Sequence, residues 1–386
     1  MLKRLQEEMT ELNREGLLRK PRVISDIDGV RVKIEGRWYV SFCSNDYLGL
    51  AQHPALKQAM IKATKEFGAG AGAARLLSGT TTLHHQLERE IARFKQADDA
   101  LLFTSGYAAN LGVITTLVKK DDIIFCDELN HASLVDAARL TKTQLHIYRH
   151  CDAAHLESLL RKSKIQSPKS KIYIITDAIF SMDGDGAPLK EIVRLAGKYK
   201  AYTIVDEAHG TGVFAKNGRG WCEAQGLGKK VNVIIGTASK ALGSLGGFVS
   251  GKQVLIDYIR NKSRPFIFTT ALPAGTCAAT IAALKVLGSE PGLRKRLWDN
   301  TDYMKRRLEQ MGYGLRNSVS PIIPILIGDT KKTVAISEAL WKKGLYVPAI
   351  RPPTVPEGQS RLRITVTAMH TGKQMDGLLE ELRKQL

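Results

Sequence analysis

Three segments decide how this chain is read: ITDAIFSMDGD at 175–185, VDEAHGTG at 205–212 and GTASKALGSLGG at 236–247. Each is entered from a short apolar, β-branched run: KIYIIT at 171–176, YTIV at 202–205 and VNVIIG at 231–236. A fourth run, GFVSG at 247–251, follows. Runs of this length and composition read as buried strands. They open in turn onto Asp177 and Ser181, onto Asp206, Glu207 and His209, and onto Thr237, Ser239 and Lys240. In an open α/β sheet, ligands lie beyond one edge and the loops at the strand ends carry the functional groups. Ser181, Asp206, His209, Thr237 and Lys240 are therefore expected to converge on one ligand.

A ligand that needs a lysine, a carboxylate, an imidazole and hydroxyls together is pyridoxal 5'-phosphate. Its aldehyde takes a lysine amine as a Schiff base, and its ring nitrogen needs a carboxylate to stay protonated as an electron sink. Lys240 is the Schiff-base candidate and Asp206 the ring-nitrogen partner. His209 and Ser181 are donors to the phenolic oxygen, and Thr237, read as one helical turn before Lys240, suits the phosphate. A lone Asp after a strand is usually a cap or turn residue, and a lone Lys a solvated charge. The ordered D-E-A-H and T-x-x-K, each at a strand end between glycines, outweigh that bland reading.

Working outward, ALLFTSG at 100–106 reads as a strand and YAANLGVITTLV at 107–118 as the helix after it. The N–H groups of Gly106 and Tyr107 at that helix start can bind phosphate. DIIFCDELNHASLVDAARL at 122–140 repeats the theme and puts His131 at a helix start, where its ring can stack on the cofactor. GAGAGAARLLSGTT at 68–81 is no dinucleotide fingerprint, because it follows a helix and has Arg75 where a glycine is required. It reads as a flexible loop near a ligand or subunit interface. His84, His85 and His150 have no acidic partner at metal spacing and read as helix or surface residues; no metal site is expected.

Strands alternating with helices over about 100–250 imply an α/β fold: a mostly parallel sheet covered by helices on both faces. Residues 273–311 read as long helices broken near Gly288 and Pro291. With IIPILI, a helix over 330–343, LYVPAI, RLRITVT and a last helix from Thr371, they form a smaller α+β domain. The expected division is 1–44, an N-terminal segment joining the small domain, 45–275, the large cofactor-binding domain, and 276–386, the small domain. Residues 1–16 read as a helix, and VRVKIEG and RWYVSFC as two strands about a turn at Gly36 and Arg37.

VDEAHGTGVFAKNGRG at 205–220 with GTASKALGSLGG resembles the α-oxoamine synthases, a branch of the fold-type I pyridoxal-phosphate transferases. The resemblance runs from SFCSNDYLGL at 41–50 to SRLRITVTAMHT at 360–371. It implies that Lys240, Asp206, His131 and His209 are catalytic, and that Gly106, Tyr107, Ser181 and Thr237 bind the cofactor. It also implies that Thr269 or Thr270 completes the phosphate site of a neighbouring subunit, hence a homodimer with shared active sites. Asn45 and Arg363 would hold the amino-acid carboxylate, and Arg19 and Thr354 match acyl-substrate positions. AIRPPTVPEGQSRLRITVTA at 349–368 is similar to the branch that condenses L-alanine with a pimeloyl thioester, of coenzyme A or of acyl carrier protein, in biotin biosynthesis. Glycine- and serine-using branches are the rivals. IRPPTVP at 350–356 and the small Ala74 lean towards alanine, although one methyl discriminates by only about 1–3 kcal/mol. A cofactor-fold regulator or scaffold would have no use for the full Lys–Asp–His set.

Composition excludes other classes. The 386 residues carry a formal net charge of +19, but the basic residues are spread out and aromatics are only 6%. A nucleic-acid surface is therefore not expected; the charge is open to two readings, steering of an anionic acyl donor and a merely soluble surface. The densest basic run, KSKIQSPKSK at 162–171, reads as a solvated loop. No apolar run approaches the roughly 20 residues of a membrane span. The five cysteines are scattered without C-x-x-C, which fits a reduced cytoplasm.

Overall fold

The computed structural model describes residues 1–167 and 169–385. Its contacts divide the chain into two compact units. One comprises Leu50–Phe180 and Gly186–Arg294; the other comprises Met1–Gly49, Ser181–Asp185 and Lys295–Leu386.

The first unit is built on a sheet that has seven strands among the described residues. In chain order they are β1 (Asp99–Phe103), β2 (Ile123–Asp127), β3 (Gln144–Tyr148), β4 (Ile172–Asp177), β5 (Tyr202–Asp206), β6 (Val233–Thr237) and β7 (Gly247–Gly251). Their order across the sheet is β1-β7-β6-β5-β4-β2-β3. Strand β7 pairs antiparallel with both β1 and β6, and the β6-β5-β4-β2-β3 pairings are parallel. The all-apolar runs belong to strands buried on both faces. Successive side chains alternate between two cores: Ile124, Cys126, Ile175, Ile204 and Ile235 in one, Phe125, Ile174, Val205 and Ile234 in the other. The mostly parallel, helix-covered sheet expected from the sequence is thus observed.

Helices form where the apolar spacing and caps require them. Thr82–Lys95 opens on a capping box of Thr81 and His84, and buries Leu87, Glu88, Ile91 and Ala92 along one stripe. His84 is therefore interior, bonded to the Leu272 carbonyl at 3.0 Å, and burial lowers its pKa to about 4. The loop before it is pinned by Arg75, which is buried against Glu88 at 3.0 Å. Helix Ala153–Gln166 extends into the basic run read as a loop; Pro168 of that run lies outside the described residues.

In the second unit, helix Leu2–Arg14 buries no residue. Strands Ile24–Asp28, Arg31–Ile34 and Arg37–Ser41 pair antiparallel, and Leu345–Tyr346 adds in parallel to the third. The first of these, ISDID, escaped the sequence reading because every residue in it is exposed and no apolar alternation marks it. Ile322–Gly328 and Ala349–Ile350 flank the wholly buried strand Ser360–Thr365. Leu362 and Ile364 of that strand enter a core with Phe42, Met304, Leu340 and Leu378.

His370 supplies a test of this packing. It stacks on Phe42 at 4.3 Å, takes the Thr367 N–H on Nδ1 at 3.0 Å and meets the Ser41 carbonyl through Nε2 at 3.1 Å. Burial lowers its pKa to about 4, so the folded state holds a neutral ring where the unfolded chain takes a proton near 6.5. The stability it contributes is present above about pH 6.5 and is lost as pH falls towards 4, by up to about 3 kcal/mol. Unfolding midpoints measured from neutral to acid pH should fall, and His370→Gln should flatten part of that fall. An unchanged slope would remove His370 from the acid response.

Candidate active site

The carboxyl ends of the parallel strands bring the chemistry together. Strand β6 ends at Thr237, and residues 238–246 turn back into β7 without forming a helix. The reading of Thr237 as a helical turn before Lys240 is thereby corrected. A tight turn closed by Ala238 N–H to Gly246 O at 2.8 Å replaces the helix. Gly243 makes this turn possible: its φ is +60°, and a Cβ there would lie 2.3 Å from the Ala51 nitrogen. The turn presents Lys240, whose Nζ shares a hydrogen bond with His209 Nε2 at 2.9 Å.

Asp206, at the end of β5, is 5% exposed. Its Oδ1 accepts from Ala208 N–H at 2.8 Å and its Oδ2 from Asn110 Nδ2 at 2.7 Å. The same Asn110 donates to Ser133 Oγ at 2.8 Å. His131 caps helix Ala132–Leu140, and its backbone N–H donates to Asp177 at 2.7 Å. Burial, opposed by Asp206 and reinforced by Lys240, lowers the His131 pKa, so the ring is a flat neutral surface at pH 7. Burial first and the Asp206 charge second push the Asp177 carboxyl well above its usual range. Asp177 and Asp206 are register partners on β4 and β5, so their charges oppose one another.

Helix Gly106–Leu117 is capped by Ser105 Oγ, which accepts from Ala108 N–H at 3.0 Å. The N–H groups of Gly106 and Tyr107 in its first turn have no intrahelical acceptor and are suited to an anion. A Cβ on Gly106 would lie 3.5 Å from Thr237 Cβ, so the helix start faces that strand end. The Thr237 hydroxyl itself bonds the Gly246 carbonyl at 2.8 Å and meets Ser239 Oγ at 2.7 Å. The exposed Ser239 is thus the more available hydroxyl of the pair. Thr270 forms an isolated antiparallel bridge with Ala74, and Thr269 is half-buried beside it.

The second unit gathers the remaining residues into two groups. Arg363, 5% exposed, donates to the Ser181 carbonyl at 2.6 Å, Thr365 Oγ1 at 2.8 Å and Asn45 Oδ1 at 3.1 Å. The Ser181–Asp185 segment is held by Asp183, which ion-pairs with the buried Arg361 and, at 2.9 Å, with Arg316. Arg19 reaches the Pro352 carbonyl at 3.3 Å and Thr354 Oγ1 at 3.4 Å, so these two distant positions do meet.

Residues 38–382 match the family model of class I and II aminotransferases. The chain is 44% identical over 98% of its length to 8-amino-7-oxononanoate synthase 1 of Bacillus velezensis, covering 96% of that protein. It is 43% identical, with the same coverage, to 8-amino-7-oxononanoate synthase of Thermoanaerobacter pseudethanolicus. The chain belongs to the 8-amino-7-oxononanoate synthase family. Among solved structures it resembles a serine palmitoyltransferase from S. paucimobilis with a bound PLP–myriocin aldimine. The TM-score is 0.94 and the identity 31%, over 99% of this chain and 96% of that one. The α-oxoamine synthase resemblance and the fold-type I expectation are borne out.

The residues fit the family's cofactor. Asp206 is a buried carboxylate whose hydrogen-bond donors are neutral amides, and no Lys, Arg or His forms an ion pair with it among the described residues. A protonated ring nitrogen would supply the missing charge. Three supporting residues were not assigned a role from sequence: Asn110, Ser133 and Asp177. Asn110 left a usable signal, since it is the amide inside an otherwise apolar helix and a buried amide needs a partner. Asp177 stood out as the polar end of its strand, but its partner, the His131 N–H, is set by the neighbouring chain segment; Ser133 left no signal, because its partner Asn110 comes from a separate helix.

Proposed function

We propose that Lys240, Asp206, His131 and His209 form the catalytic set, with Gly106, Tyr107, Ser181 and Thr237 completing the pyridoxal-phosphate site. The chain is a pyridoxal-phosphate-dependent acyltransferase of biotin biosynthesis. It condenses L-alanine with a pimeloyl thioester, with loss of carbon dioxide, to give 8-amino-7-oxononanoate and free thiol. The observation that carries the residue assignment is the buried Asp206 carboxylate, backed by Asn110 at 2.7 Å and without an ion pair among the described residues. When bound, the cofactor supplies an electron sink for the amino-acid α-carbon.

The chain's own groups do the rest. Asp206 holds the proton on the ring nitrogen. His131 covers the ring and excludes water from one face. The Lys240 amine, 2.9 Å from His209 Nε2, removes and returns the α-proton as general base and acid. Arg363 and Asn45 orient the substrate carboxylate through charge-assisted hydrogen bonds, and Arg19 with Thr354 holds the acyl chain. The acyl donor is a thioester of coenzyme A or of acyl carrier protein. The test is a panel of alanine, glycine and serine against pimeloyl-, acetyl-, succinyl- and palmitoyl-thioesters on both carriers. Alanine with pimeloyl thioester should give the highest kcat/KM. Preference for serine with palmitoyl thioester, the pairing suggested by the fold match, would overturn the assignment.

No helix among the described residues is long and apolar enough to cross a membrane, and the reading places the enzyme in the cytoplasm. It also takes the enzyme as a homodimer in which Thr269 or Thr270 serves the neighbouring phosphate site. Lys240→Ala subunits mixed with Thr269→Ala/Thr270→Ala subunits should then regain activity as heterodimers, up to about a quarter to a half of normal sites. A fully active monomer, or no recovery despite exchange, would refute the sharing.

A further inference from the structure

A second constellation lies outside the residues assigned above. Asp127 ends β2 and His150 and Cys151 follow β3, its parallel neighbour. The sequence reading gave His150 no acidic partner, yet strand pairing supplies one 23 residues away. His150 Nδ1 lies 2.8 Å from Asp127 Oδ1. Asp127 is 1% exposed and also accepts from Leu129 N–H and Cys151 N–H, each at 2.9 Å. A carboxylate oxygen accepts, so His150 donates through Nδ1. Nε2 is then turned to Cys151 Sγ at 3.6 Å, and the thiol also lies 3.8 Å from the Gly186 carbonyl, its other acceptor here. Phe180 meets the imidazole edge-on at 4.4 Å and fixes its plane. Thiol, imidazole and carboxylate, all with ligand atoms within 4.8 Å, thus stand in the order of nucleophile, base and orienting group.

Cys151, like Cys43, is only partly buried. Cys126, Cys222 and Cys277 are buried, and burial pushes all three thiols up, as it does that of Cys43. Cys151 also has a φ of +54°, a conformation that Asn adopts more readily than most side chains. The N–H bond to Asp127 holds it there.

We propose that Cys151 is a modification site, a reactive thiol that exchanges with low-molecular-weight disulfides, with His150 as its base and Asp127 as the positioning residue. The thiol proton passes to His150 Nε2 and the thiolate attacks one sulfur of R–S–S–R. The Cys151 Sγ–S bond forms as the reagent S–S bond breaks. The departing RS⁻ takes the proton back from His150, leaving a mixed disulfide and one free thiol with no net oxidation.

The test uses the holoenzyme with oxidised glutathione, reading the adduct on each cysteine by peptide mass and its rate against pH. At about pH 6.5 Cys151 should react about tenfold faster than Cys43, since a thiolate stabilised by an imidazolium outweighs its lower intrinsic nucleophilicity. His150→Gln should lower the Cys151 rate about tenfold at that pH and move the rate midpoint up towards the ordinary thiol value of about 8.5. Cys151→Asn, which suits the backbone, should lose the adduct while keeping acyltransferase activity and Tm. Even labelling of the cysteines, or a pH profile unchanged in His150→Gln, would overturn the proposal. So would one tightly bound zinc per chain whose removal by chelator is needed before Cys151 reacts, because the trio would then be a metal site.

Discussion

Lys240→Ala is expected to abolish the borohydride-trapped bond between cofactor and protein and to lower kcat by about 10³-fold or more. The magnitude follows from losing two roles at once: covalent anchorage, and general acid–base work that alone contributes about 10²–10⁴. The geometry singles out this lysine. It sits on the turn after β6, and its Nζ is 2.9 Å from His209 Nε2. The rival is Lys95, a buried lysine of the same unit whose pKa is lowered by burial. Its ammonium is engaged, however, donating to Thr211 Oγ1 at 2.8 Å and to the Arg219 carbonyl. Peptide mapping of the reduced adduct decides between them. An adduct on Lys95, or retained in Lys240→Ala, would overturn the assignment.

Asp206→Asn should cost nearly as much, about 10³-fold in the rate of α-proton exchange on bound alanine, while cofactor remains bound. An amide has nearly the volume of the carboxylate and can still meet Ala208 N–H through its oxygen. It cannot stabilise a proton on the ring nitrogen, and it sets a second amide against Asn110 Nδ2, which is 2.7 Å from Oδ2 in the native site. Retention follows because the helix-start N–H groups of Gly106 and Tyr107 are untouched by the change. Two measurements check this, deuterium exchange at the alanine α-carbon and cofactor content after dialysis. Near-normal exchange would remove Asp206 from its role, and loss of cofactor with normal exchange per bound cofactor would make it a mere binding residue.

The assigned catalytic set was legible for a physical reason. A strand buried on both faces must be a continuous apolar run, so the polar residue that ends it stands out in sequence. Asp206 and Thr237 end their strands, and His209 and Lys240 follow within three residues. Gly106 and His131 likewise marked helix starts, the first behind a Ser105 cap that only the structure shows. Where that contrast fails, so did the reading. ISDID at 24–28 is a strand exposed throughout. In the turn bearing Lys240, the T-x-x-K spacing reads as one helical turn from Thr237 to Lys240. Closure of that turn on Gly246 and the close approach of Leu50 at Gly243 exclude a helix.

The sequence by itself determined the strand-and-helix alternation, the residues at the strand ends and, through its long ordered motifs, the family. Those features depend on local composition, on burial that forces apolar runs, and on spacing along one chain. Only the tertiary structure decided which side chains serve which. Asn110 is 96 residues from the Asp206 carboxylate it supports, His150 is 23 from Asp127, and Arg363 is 318 from Asn45. Partnerships of that kind are set by strand order and register, here β1-β7-β6-β5-β4-β2-β3, and by the packing of separate chain segments. Neither periodicity nor spacing encodes them, because a buried donor takes whichever acceptor the fold places within reach.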